Sequence, residues 1–373
     1  MDRGAVIVIF IAVVLSVTGV SAQERIKMDE NYSVSVVIET AGIIENLTFA
    51  DHTNSKDEGN WIRLENGKSV LLPNITFRYE GVSYTNYTRN GTTVTVTTNP
   101  KLINKTVFYP YKHHQVHTPG SVNNITAVFY GSTCFANINV DAHLINITAS
   151  DMINMLDEAL NGNTIPFHNL LNESVCSTKK TLNETGDANL DLGRPIAGEY
   201  MIVIINRTNR DIQLFSAAPV HVLKYESAVT VSPLAPQPGD FIDIAVELRN
   251  ATKWNYSYHA ILLHEDDYRA AIVLQSNVTI AEHDFNLSLN NVRRNKTEIT
   301  GLDRYTLIEI VEKTTKNASV GFTKSKETTA SLTLITEANM KLGEYVLLVV
   351  VNSPDEKLVA LNQTKISFTS TGG

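Results

Sequence analysis

Apolar and polar residues alternate along several segments of this sequence. In Phe241–Arg249 the apolar positions 242, 244, 246 and 248 share one face, and the charged residues lie on the other. A period of two turns one face of a β-strand towards a core and the other towards water. Thr92–Thr98 alternates valine with threonine, and Met201–Ile205 and Val346–Val351 are continuous apolar runs, as in strands buried on both faces. The pattern predicts a mainly β fold.

Two Asn-Gly pairs predict tight hairpins. Asn66-Gly67 and Asn90-Gly91 each separate two short segments with strand-like composition. Asn-Gly suits a type I′ turn because this turn requires positive φ at both central residues. We therefore expect the strands on either side of each pair to be hydrogen-bonded to one another.

Two helices are predicted between the strands. The apolar residues of Met152–Leu160 recur at helical spacing, with Thr148 or Ser150 as the cap and Gly162 at the end. The second helix is predicted over Asp303–Lys313, where three apolar residues fall on one side. Both are short insertions in a β-rich chain.

A Gly-Glu-Tyr tripeptide occurs twice in similar surroundings. Gly198–Tyr200 leads into Met201–Ile205, and Gly343–Tyr345 leads into Val346–Val351; another apolar strand follows in both copies. A tyrosine at the start of the penultimate strand is typical of the tyrosine corner in immunoglobulin-like sandwiches. The repeat predicts tandem immunoglobulin-like β-sandwiches with short helical insertions. We expect each tyrosine ring to be buried, with its hydroxyl bonded to a nearby backbone group.

The chain divides into four segments on this basis. Residues 1–22 are predicted to be a signal peptide and residues 23–105 an N-terminal β-rich domain. The first sandwich repeat is predicted over 106–224 and the second over 225–373. Within the second, Pro233–Asp240 contains three prolines and a glycine, which predicts a hinge and first turn.

The first residues have the features of a secretory signal. Arg3 precedes the apolar run Ala5–Val17, and the small residues at Val20–Ala22 suit cleavage before Gln23. An uncleaved membrane anchor is the alternative, because Ala5–Ala22 approaches the length of a spanning helix. Since no second apolar stretch of about 18 residues follows, we expect an exported chain with no transmembrane segment after cleavage.

Asn-x-Ser/Thr sequons are unusually frequent. Eighteen are present, where about six would be expected by chance. Their asparagines are Asn31, Asn46, Asn74, Asn86, Asn90, Asn104, Asn124, Asn146, Asn172, Asn183, Asn206, Asn250, Asn255, Asn277, Asn286, Asn295, Asn317 and Asn362. The excess favours N-glycosylation of an exported protein over ordinary turn residues.

The chain has two cysteines, Cys134 and Cys176. In an oxidising compartment an isolated pair usually bonds, and closing a loop of this length would stabilise the fold by about 4 kcal/mol. A cysteine nucleophile is the alternative, but no local signature supports it. We therefore expect one intramolecular disulfide.

Two clusters are candidate metal sites. His113 and His117 point the same way in an extended segment, and neutral imidazoles bind zinc, nickel or copper. Packing at a domain junction is the alternative interpretation of these histidines. The clustered carboxylates of His264–Asp267 could hold calcium, but a solvated turn is the simpler interpretation because the alternating acids and glycine of a calcium loop are missing.

Three aromatic residues form a third candidate site. Trp254, Tyr256 and Tyr258 alternate along the chain and could stack on sugar rings. Alternating aromatic residues on a strand more often face the core of a sandwich. The neighbouring sequons at Asn250 and Asn255 also argue against a binding groove here.

Several short motifs occur in a specific combination along the chain. They are Gly59–Arg63, Phe108–Tyr111, Val116–Gly120, Ala260–Tyr268, the two Gly-Glu-Tyr strands and Asn317–Thr323. In this combination the chain resembles a family of exported proteins from methanogenic archaea, often described as a methanogen extracellular domain. The resemblance implies a location at an archaeal cell surface, and it implies no particular activity.

The sequence favours a structural or adhesive function over catalysis. It contains no Gly-x-Ser-x-Gly, His-Glu-x-x-His, phosphate-binding glycine loop or Cys-x-x-Cys motif, and its net charge of −8 disfavours a nucleic-acid partner. We expect a secreted, N-glycosylated protein of the archaeal envelope, without a cofactor, that contacts envelope proteins or surface polysaccharide. The alternatives are an extracellular carbohydrate- or metal-binding module and a glycan hydrolase, whose paired carboxylates would meet only in space.

Overall fold

The structure is a computed structural model of the 373-residue chain. It describes residues 32–40, 43–50, 62–64, 67–71, 74–80, 84–89, 92–98, 106–108, 113–118, 124–131, 133–147, 165–208, 211–278, 283–289, 292–293, 315–355 and 357–369. Most of these residues lie in strands, as the alternating pattern predicts.

The described part of the chain contains the following strands and one α-helix. The strands are β1 (Tyr32–Thr40), β2 (Ile43–Ala50), β3 (Ile62–Leu64), β4 (Lys68–Leu71), β5 (Asn74–Glu80), β6 (Tyr84–Arg89), β7 (Thr92–Thr98), β8 (Thr106–Phe108), β9 (His113–His117), β10 (Thr126–Phe129), β11 (Asn139–Asn146), β12 (Cys176–Thr181), β13 (Ala188–Asp191), β14 (Gly198–Thr208), β15 (Asp211–Val222), β16 (Glu226–Ser232), β17 (Phe241–Arg249), β18 (Tyr256–His264), β19 (Arg269–Val278), β20 (His283–Leu289), β21 (Val292–Arg293), β22 (Ala318–Ser325), β23 (Thr329–Ile335), β24 (Gly343–Asn352) and β25 (Leu358–Phe368). The helix is α1 (Ile165–Asn172), and a 3-10 turn covers Thr133–Phe135.

The C-terminal strands form a β-sandwich, called sandwich 2 below. One sheet has the order β16-β17-β23 and the other the order β22-β18-β24-β25, with antiparallel neighbours in both. In β17 the side chains at 242, 244, 246 and 248 are buried and those between them are exposed, as the alternation predicts. β24 is buried on both faces from Tyr345 onwards, which matches its continuous apolar run.

A second sandwich, called sandwich 1, precedes it in the chain. Its sheets have the orders β3-β10-β13 and β12-β11-β14-β15, and one apolar core contains residues from both. In this core the rings of Phe135 and Phe215 meet edge to face with centroids 4.7 Å apart, and Phe129 contacts Phe215 at 6.5 Å. Such edge-to-face pairs contribute about 1 kcal/mol beyond the burial of their area.

The two sandwiches have the same strand order. Each pairs a three-stranded sheet with a four-stranded one, and the sheets correspond strand for strand along the chain. The two Gly-Glu-Tyr strands, β14 and β24, occupy the same position, beside the last strand of their sheet. The predicted duplication and the tandem immunoglobulin-like β-sandwich fold are therefore confirmed.

The remaining strands connect the N-terminal part of the chain to both sandwiches. A parallel pairing of β15 with β2 extends the larger sheet of sandwich 1 to the order β15-β2-β1-β7-β6. β5 pairs in parallel with β19 in the sheet β21-β20-β19-β5-β8. Hydrogen-bonded ladders thus cross the positions near residues 105 and 225, and the division of the chain there stays a prediction.

An apolar cluster, called the inter-sandwich cluster, joins the two sandwiches. It contains Val70, Val116, Leu223, Ile261, Tyr268, Val346, Leu348, Val350 and Leu358, all of them buried. On β24, Leu347 faces the core of sandwich 2 and Leu348 faces this cluster, because successive side chains of a strand point to opposite faces. One face of β24 is therefore buried by the core of sandwich 2, and the other face is buried by the inter-sandwich cluster.

One predicted hairpin is confirmed and the other is wrong. β6 and β7 pair antiparallel up to Arg89 and Thr92, which leaves Asn90-Gly91 as a two-residue connection. In contrast, β3 pairs with β10 and β4 pairs with β9, so Asn66-Gly67 joins strands of different sheets. Gly67 instead permits close approach, since a Cβ there would lie 2.5 Å from Cε1 of His117.

The predicted signal peptide, 1–22, and the predicted helices, Met152–Leu160 and Asp303–Lys313, lie outside the described residues. The helix α1 was not predicted; Pro166 is compatible with its first turn, where a backbone N–H has no helical partner. In the part of the chain that the structure describes, no helix combines the length and apolarity needed to cross a bilayer.

Candidate functional site

Three sequence motifs meet at one end of sandwich 2, at a site called the His264 corner. It comprises His264–Tyr268 after β18, Thr315–Ser319 at the start of β22, and Lys341–Tyr345 at the start of β24. Backbone bonds hold the segments together: the amide N of His264 donates to the carbonyl O of Asn317 at 3.1 Å, and Glu265 N donates to Glu344 O at 2.9 Å. Three of the motifs singled out in the sequence therefore converge in space.

Tyr345 forms the centre of this corner. Its ring is fully buried, and its hydroxyl donates to the backbone carbonyl of Lys341 at 2.8 Å. Burial raises the pKa of Tyr345 to about 12, and the charge of Asp267 acts in the same direction. The predicted tyrosine corner is confirmed here and in sandwich 1, where the hydroxyl of the buried Tyr200 donates to Ile196 O at 2.9 Å.

His264 packs against Tyr345 from the neighbouring strand. The two rings meet nearly at right angles, with centroids 4.9 Å apart. Nδ1 of the buried imidazole accepts a hydrogen bond from the backbone N of Asp266 at 3.1 Å, so in the neutral form Nε2 carries the proton. Gly343 lies over this nitrogen with φ of +132°, and a Cβ there would come within 3.1 Å of Nε2.

Each carboxylate of the corner faces a hydrogen-bond donor. Asp266 pairs with Lys341, and Glu265 pairs with Lys365 at 3.3 Å. Asp267 Oδ2 accepts from Thr315 Oγ1 at 2.6 Å and from Asn317 Nδ2 at 3.0 Å. This arrangement fits the interpretation of His264–Asp267 as a solvated turn, because a calcium site requires carboxylates that converge on one point.

The equivalent corner of sandwich 1 has different chemistry. The residue opposite Tyr345 is His264, whereas the residue opposite Tyr200 is Asn146. Burial raises the pKa of Tyr200, and a side-chain hydrogen bond with Asn146 opposes this shift. Beside Tyr200, burial raises the pKa of the half-buried Glu199 to about 7, and its cross-strand neighbour is the buried His221.

The predicted metal site at His113 and His117 stays a prediction. Both residues lie on β9, as the extended segment requires. His117 is buried against Gly67, and its carbonyl accepts from the amide of Leu223 at 2.6 Å, beside the inter-sandwich cluster. Among the described residues, no three His, Cys, Asp or Glu side chains are grouped as metal ligands.

The predicted disulfide is not formed in the structure. Cys134 lies in the 3-10 turn before β11 and is exposed, whereas Cys176 begins β12 opposite Leu144, near the end of β11. Asn139, where β11 begins, and Leu144 are about 16 Å apart along the strand, at roughly 3.3 Å per residue. A disulfide requires Cα atoms about 4.4–6.8 Å apart, and the structure does not join these two cysteines.

The aromatic candidates divide between core and surface. Tyr256 and Tyr258 are fully buried in sandwich 2, where their hydroxyls donate to Thr252 O at 2.8 Å and to Glu327 O at 3.1 Å. Trp254 is 53% exposed in the loop before β18. The two tyrosines are therefore core residues, as the sandwich interpretation predicts, and a three-ring sugar platform is not formed.

The sequon asparagines have different surroundings. Exposed side chains are those of Asn124, Asn146, Asn172, Asn183, Asn250 and Asn255, and half-buried ones are those of Asn206, Asn317 and Asn362. Asn46, Asn74, Asn86, Asn277 and Asn286 lie on strands β2, β5, β6, β19 and β20. Asn31, Asn90, Asn104 and Asn295 lie outside the described residues.

Sequence reasoning identified part of the His264 corner and missed its connections. It singled out His264–Asp267 and Tyr345 but assigned no structural role to Asn317 or Lys341. The position of Asn317 in a motif of the family resemblance was a signal, but its sequon pattern pointed to glycosylation instead. The partners become visible only when three segments far apart in sequence meet.

The chain was compared with family models, curated proteins and solved structures. No family model and no curated protein matches it. Red sea bream transglutaminase is similar over 66% of this chain and 29% of its own, at 9% identity and a TM-score of 0.23. A two-domain fibronectin type III segment of chicken tenascin covers 66% of this chain and 92% of its own, at 7% identity and a TM-score of 0.19.

Fibronectin(III)-like modules of Clostridium thermocellum CbhA are also similar. They cover 69% of this chain and 90% of their own, at 10% identity and a TM-score of 0.19. TM-scores of this size carry no argument about function. Strand order and core packing define the fold.

Proposed function

We propose that this chain is an exported, N-glycosylated protein of the archaeal cell envelope with a structural or adhesive role and no catalytic one. Its partners in this proposal are envelope proteins or surface polysaccharide. The observation that carries the proposal is the continuous packing of one sandwich against the next. A protein that transmits force or spaces other molecules needs modules with a fixed mutual arrangement.

The inter-sandwich cluster supplies this arrangement. Val116 and Leu223 on one side and Ile261 and Leu348 on the other are all buried in it. A backbone bond from Tyr225 N to Val359 O, at 3.0 Å, adds a polar link. Burying one leucine side chain stabilises the folded state by about 2 kcal/mol. A cluster of this size therefore favours a fixed arrangement of the two sandwiches over independent movement of each.

The distribution of polar groups also supports a structural role. At the His264 corner, charged side chains pair with one another or accept from donors within the fold. Six sequon asparagines with exposed side chains lie along both sandwiches, and glycans there would cover the surface and protect it from proteases. A catalytic site instead needs reactive groups that converge on open space.

Immunogold labelling of intact archaeal cells tests the proposal. We expect label along the envelope, and intact-mass measurement of the same protein should give a mass well above that of the polypeptide beginning at Gln23. Label confined to the cytoplasm, or a protein of unmodified mass that retains Met1, would contradict it. Release of reducing sugar from envelope polysaccharide by the purified chain would favour a hydrolase instead.

A further inference from the structure

The asparagine carboxamides of two sequons, at Asn183 and Asn317, lie in different surroundings. Asn183 is exposed in the turn between β12 and β13, whereas Asn317 is half-buried at the His264 corner. Both have the Asn-x-Ser/Thr pattern, which requires the amide nitrogen and the hydroxyl two residues later to be reached together. The contacts of these two groups therefore decide whether a sequon can accept a glycan.

Both polar atoms of the Asn317 carboxamide form hydrogen bonds within the fold. Its Nδ2 donates to Asp267 Oδ2 at 3.0 Å, and its Oδ1 accepts from the backbone N of Lys341 at 3.0 Å. These bonds connect the turn after β18 with the start of β24. A sugar on Nδ2 would replace one of its hydrogens inside this half-buried network.

The hydroxyl of the same sequon lies inside sandwich 2. Ser319 is buried, and its Oγ donates to the carbonyl O of Ile335 at 2.8 Å. This bond joins β22 to the end of β23, across the two sheets. Exposing the hydroxyl would break this bond and leave the carbonyl without its side-chain donor.

Asn183 differs from Asn317 because its side chain and the hydroxyl-bearing Thr185 are both exposed. Its Oδ1 accepts hydrogen bonds from Thr185 N at 2.9 Å and Asp187 N at 2.8 Å. Thr185 Oγ1 lies 2.7 Å from the same oxygen and is also within hydrogen-bond distance of Asp187 Oδ2. Every bond that its carboxamide makes with the described residues is accepted by this oxygen. The two backbone donors on Oδ1 draw electron density from the amide and stabilise the anionic form that arises when Nδ2 loses a proton.

We propose that Asn183 is a glycan acceptor and that Asn317 is a structural residue that carries no glycan. The step at Asn183 needs a lipid diphosphate-linked oligosaccharide as co-reactant. Nδ2 loses one proton to a base of the transferase and forms a C–N bond to the anomeric carbon, while the bond from that carbon to the phosphate oxygen breaks. The lipid diphosphate leaves with the electron pair, so no oxidation or reduction occurs.

Glycopeptide mass spectrometry of the native, exported chain tests this assignment, which rests on the proposed glycosylation. We expect peptides containing Asn183 to carry a glycan and peptides containing Asn317 to have their unmodified mass. A glycan at Asn317, or an unmodified Asn183 beside glycosylated sequons elsewhere, would overturn the assignment and leave the proposed function intact. A chain without a glycan at any asparagine would overturn both.

Matched variants expressed in the archaeal host give a second readout. Asn183→Gln should lower the intact mass by one glycan, whereas Ser319→Ala, which removes the sequon but keeps the carboxamide of Asn317, should leave the glycan mass unchanged. Ser319→Thr preserves the sequon and is the control. Loss of one glycan from Ser319→Ala but not from Ser319→Thr would overturn the assignment.

Discussion

At the scale of single residues, the two corner tyrosines connect each loop to the strand that follows it. The hydroxyls of Tyr200 and Tyr345 each donate to the carbonyl four residues upstream. We expect Tyr345→Phe to destabilise sandwich 2 by about 1 kcal/mol, because the hydrogen bond to the Lys341 carbonyl is lost while the ring stays packed. Tyr200→Phe should do the same to sandwich 1.

Hydrogen exchange resolved by peptide distinguishes the two variants. Tyr345→Phe should speed exchange in β24 and β25 and leave β14 and β15 nearly unchanged, since distant sites act independently. Tyr200→Phe should give the reverse pattern. Equal effects of one substitution on both sandwiches would contradict the assignment of a separate corner to each.

Glu199 gives sandwich 1 a pH dependence. An unfolded chain releases this proton near pH 4.5, whereas the folded chain, with the pKa of Glu199 raised by burial, holds it to about pH 7. Between these values the folded state binds more protons, so stability falls as the pH rises from 4.5 to 7 and stays lower above it. Glu199→Gln should remove this loss, adding about 1–3 kcal/mol at pH 8 and little at pH 4.

Denaturant unfolding at the two pH values measures this effect. Glu344→Gln is the matched control, because Glu344 occupies the equivalent position in sandwich 2 but is exposed and bonded to Ser367. The control should change stability similarly at pH 4 and pH 8. A Glu199→Gln variant with the same stability gain at both pH values would show that burial does not hold the proton.

At the scale of elements, β17 shows how a period of two fixes the orientation of a strand. Ile242 is fully buried, whereas Phe241 is 63% exposed beside its cross-strand neighbour Ile335. We expect Ile242→Ala to destabilise the chain by about 2–4 kcal/mol through the cavity it leaves. Phe241→Ala should cost less than about 1 kcal/mol, although it removes the larger side chain.

Urea midpoints of the two variants check this order. A one-residue shift of β17 would exchange its faces, and Phe241→Ala would then be the more destabilising change. Comparable costs for both substitutions would indicate that the outer face of the β16-β17-β23 sheet is covered in the native protein.

The same elements indicate what local sequence can predict. Alternation predicted β17, and the Gly-Glu-Tyr repeat predicted the positions of β14 and β24. Both predictions succeed because the two faces of a strand and its turns depend on residues that are close together in sequence. Asn66-Gly67 has the same local code as Asn90-Gly91, yet its strands pair elsewhere. Long-range strand pairing determines the partners of the strands beside Asn66-Gly67, and the residues near this pair do not indicate it.

At the candidate site, too, nearby residues predict some features and contacts between distant segments determine the others. The turn at His264 and the buried hydroxyl of Tyr345 follow from residues near each in the chain. The position of Cys176 opposite Leu144 depends instead on the register of β11 with β12. The bonds of Asn317 to Asp267 and Lys341 span three segments, so residue type and spacing could not predict them.

At the scale of the whole molecule, the inter-sandwich cluster determines whether the two sandwiches act as one unit. β24 supplies the test, because Leu347 and Leu348 are adjacent and buried but belong to different clusters. Each Leu→Ala change should cost about 2–4 kcal/mol through the cavity it leaves. We expect Leu347→Ala to weaken sandwich 2 itself and Leu348→Ala to weaken its attachment to sandwich 1.

Hydrogen exchange at β9 separates these two effects. β9 carries Val116, which packs in the inter-sandwich cluster, and it bonds to the C-terminal half of β15 rather than to any strand of sandwich 2. Leu348→Ala should therefore speed exchange at β9, because local opening becomes easier once the cluster has lost a leucine. Leu347→Ala, with a cavity of similar size on the other face of β24, should leave β9 nearly unchanged. If both variants exchanged at β9 like the unmodified chain, the sandwiches would not be coupled through this cluster, and a stiff envelope protein would have to obtain its rigidity elsewhere.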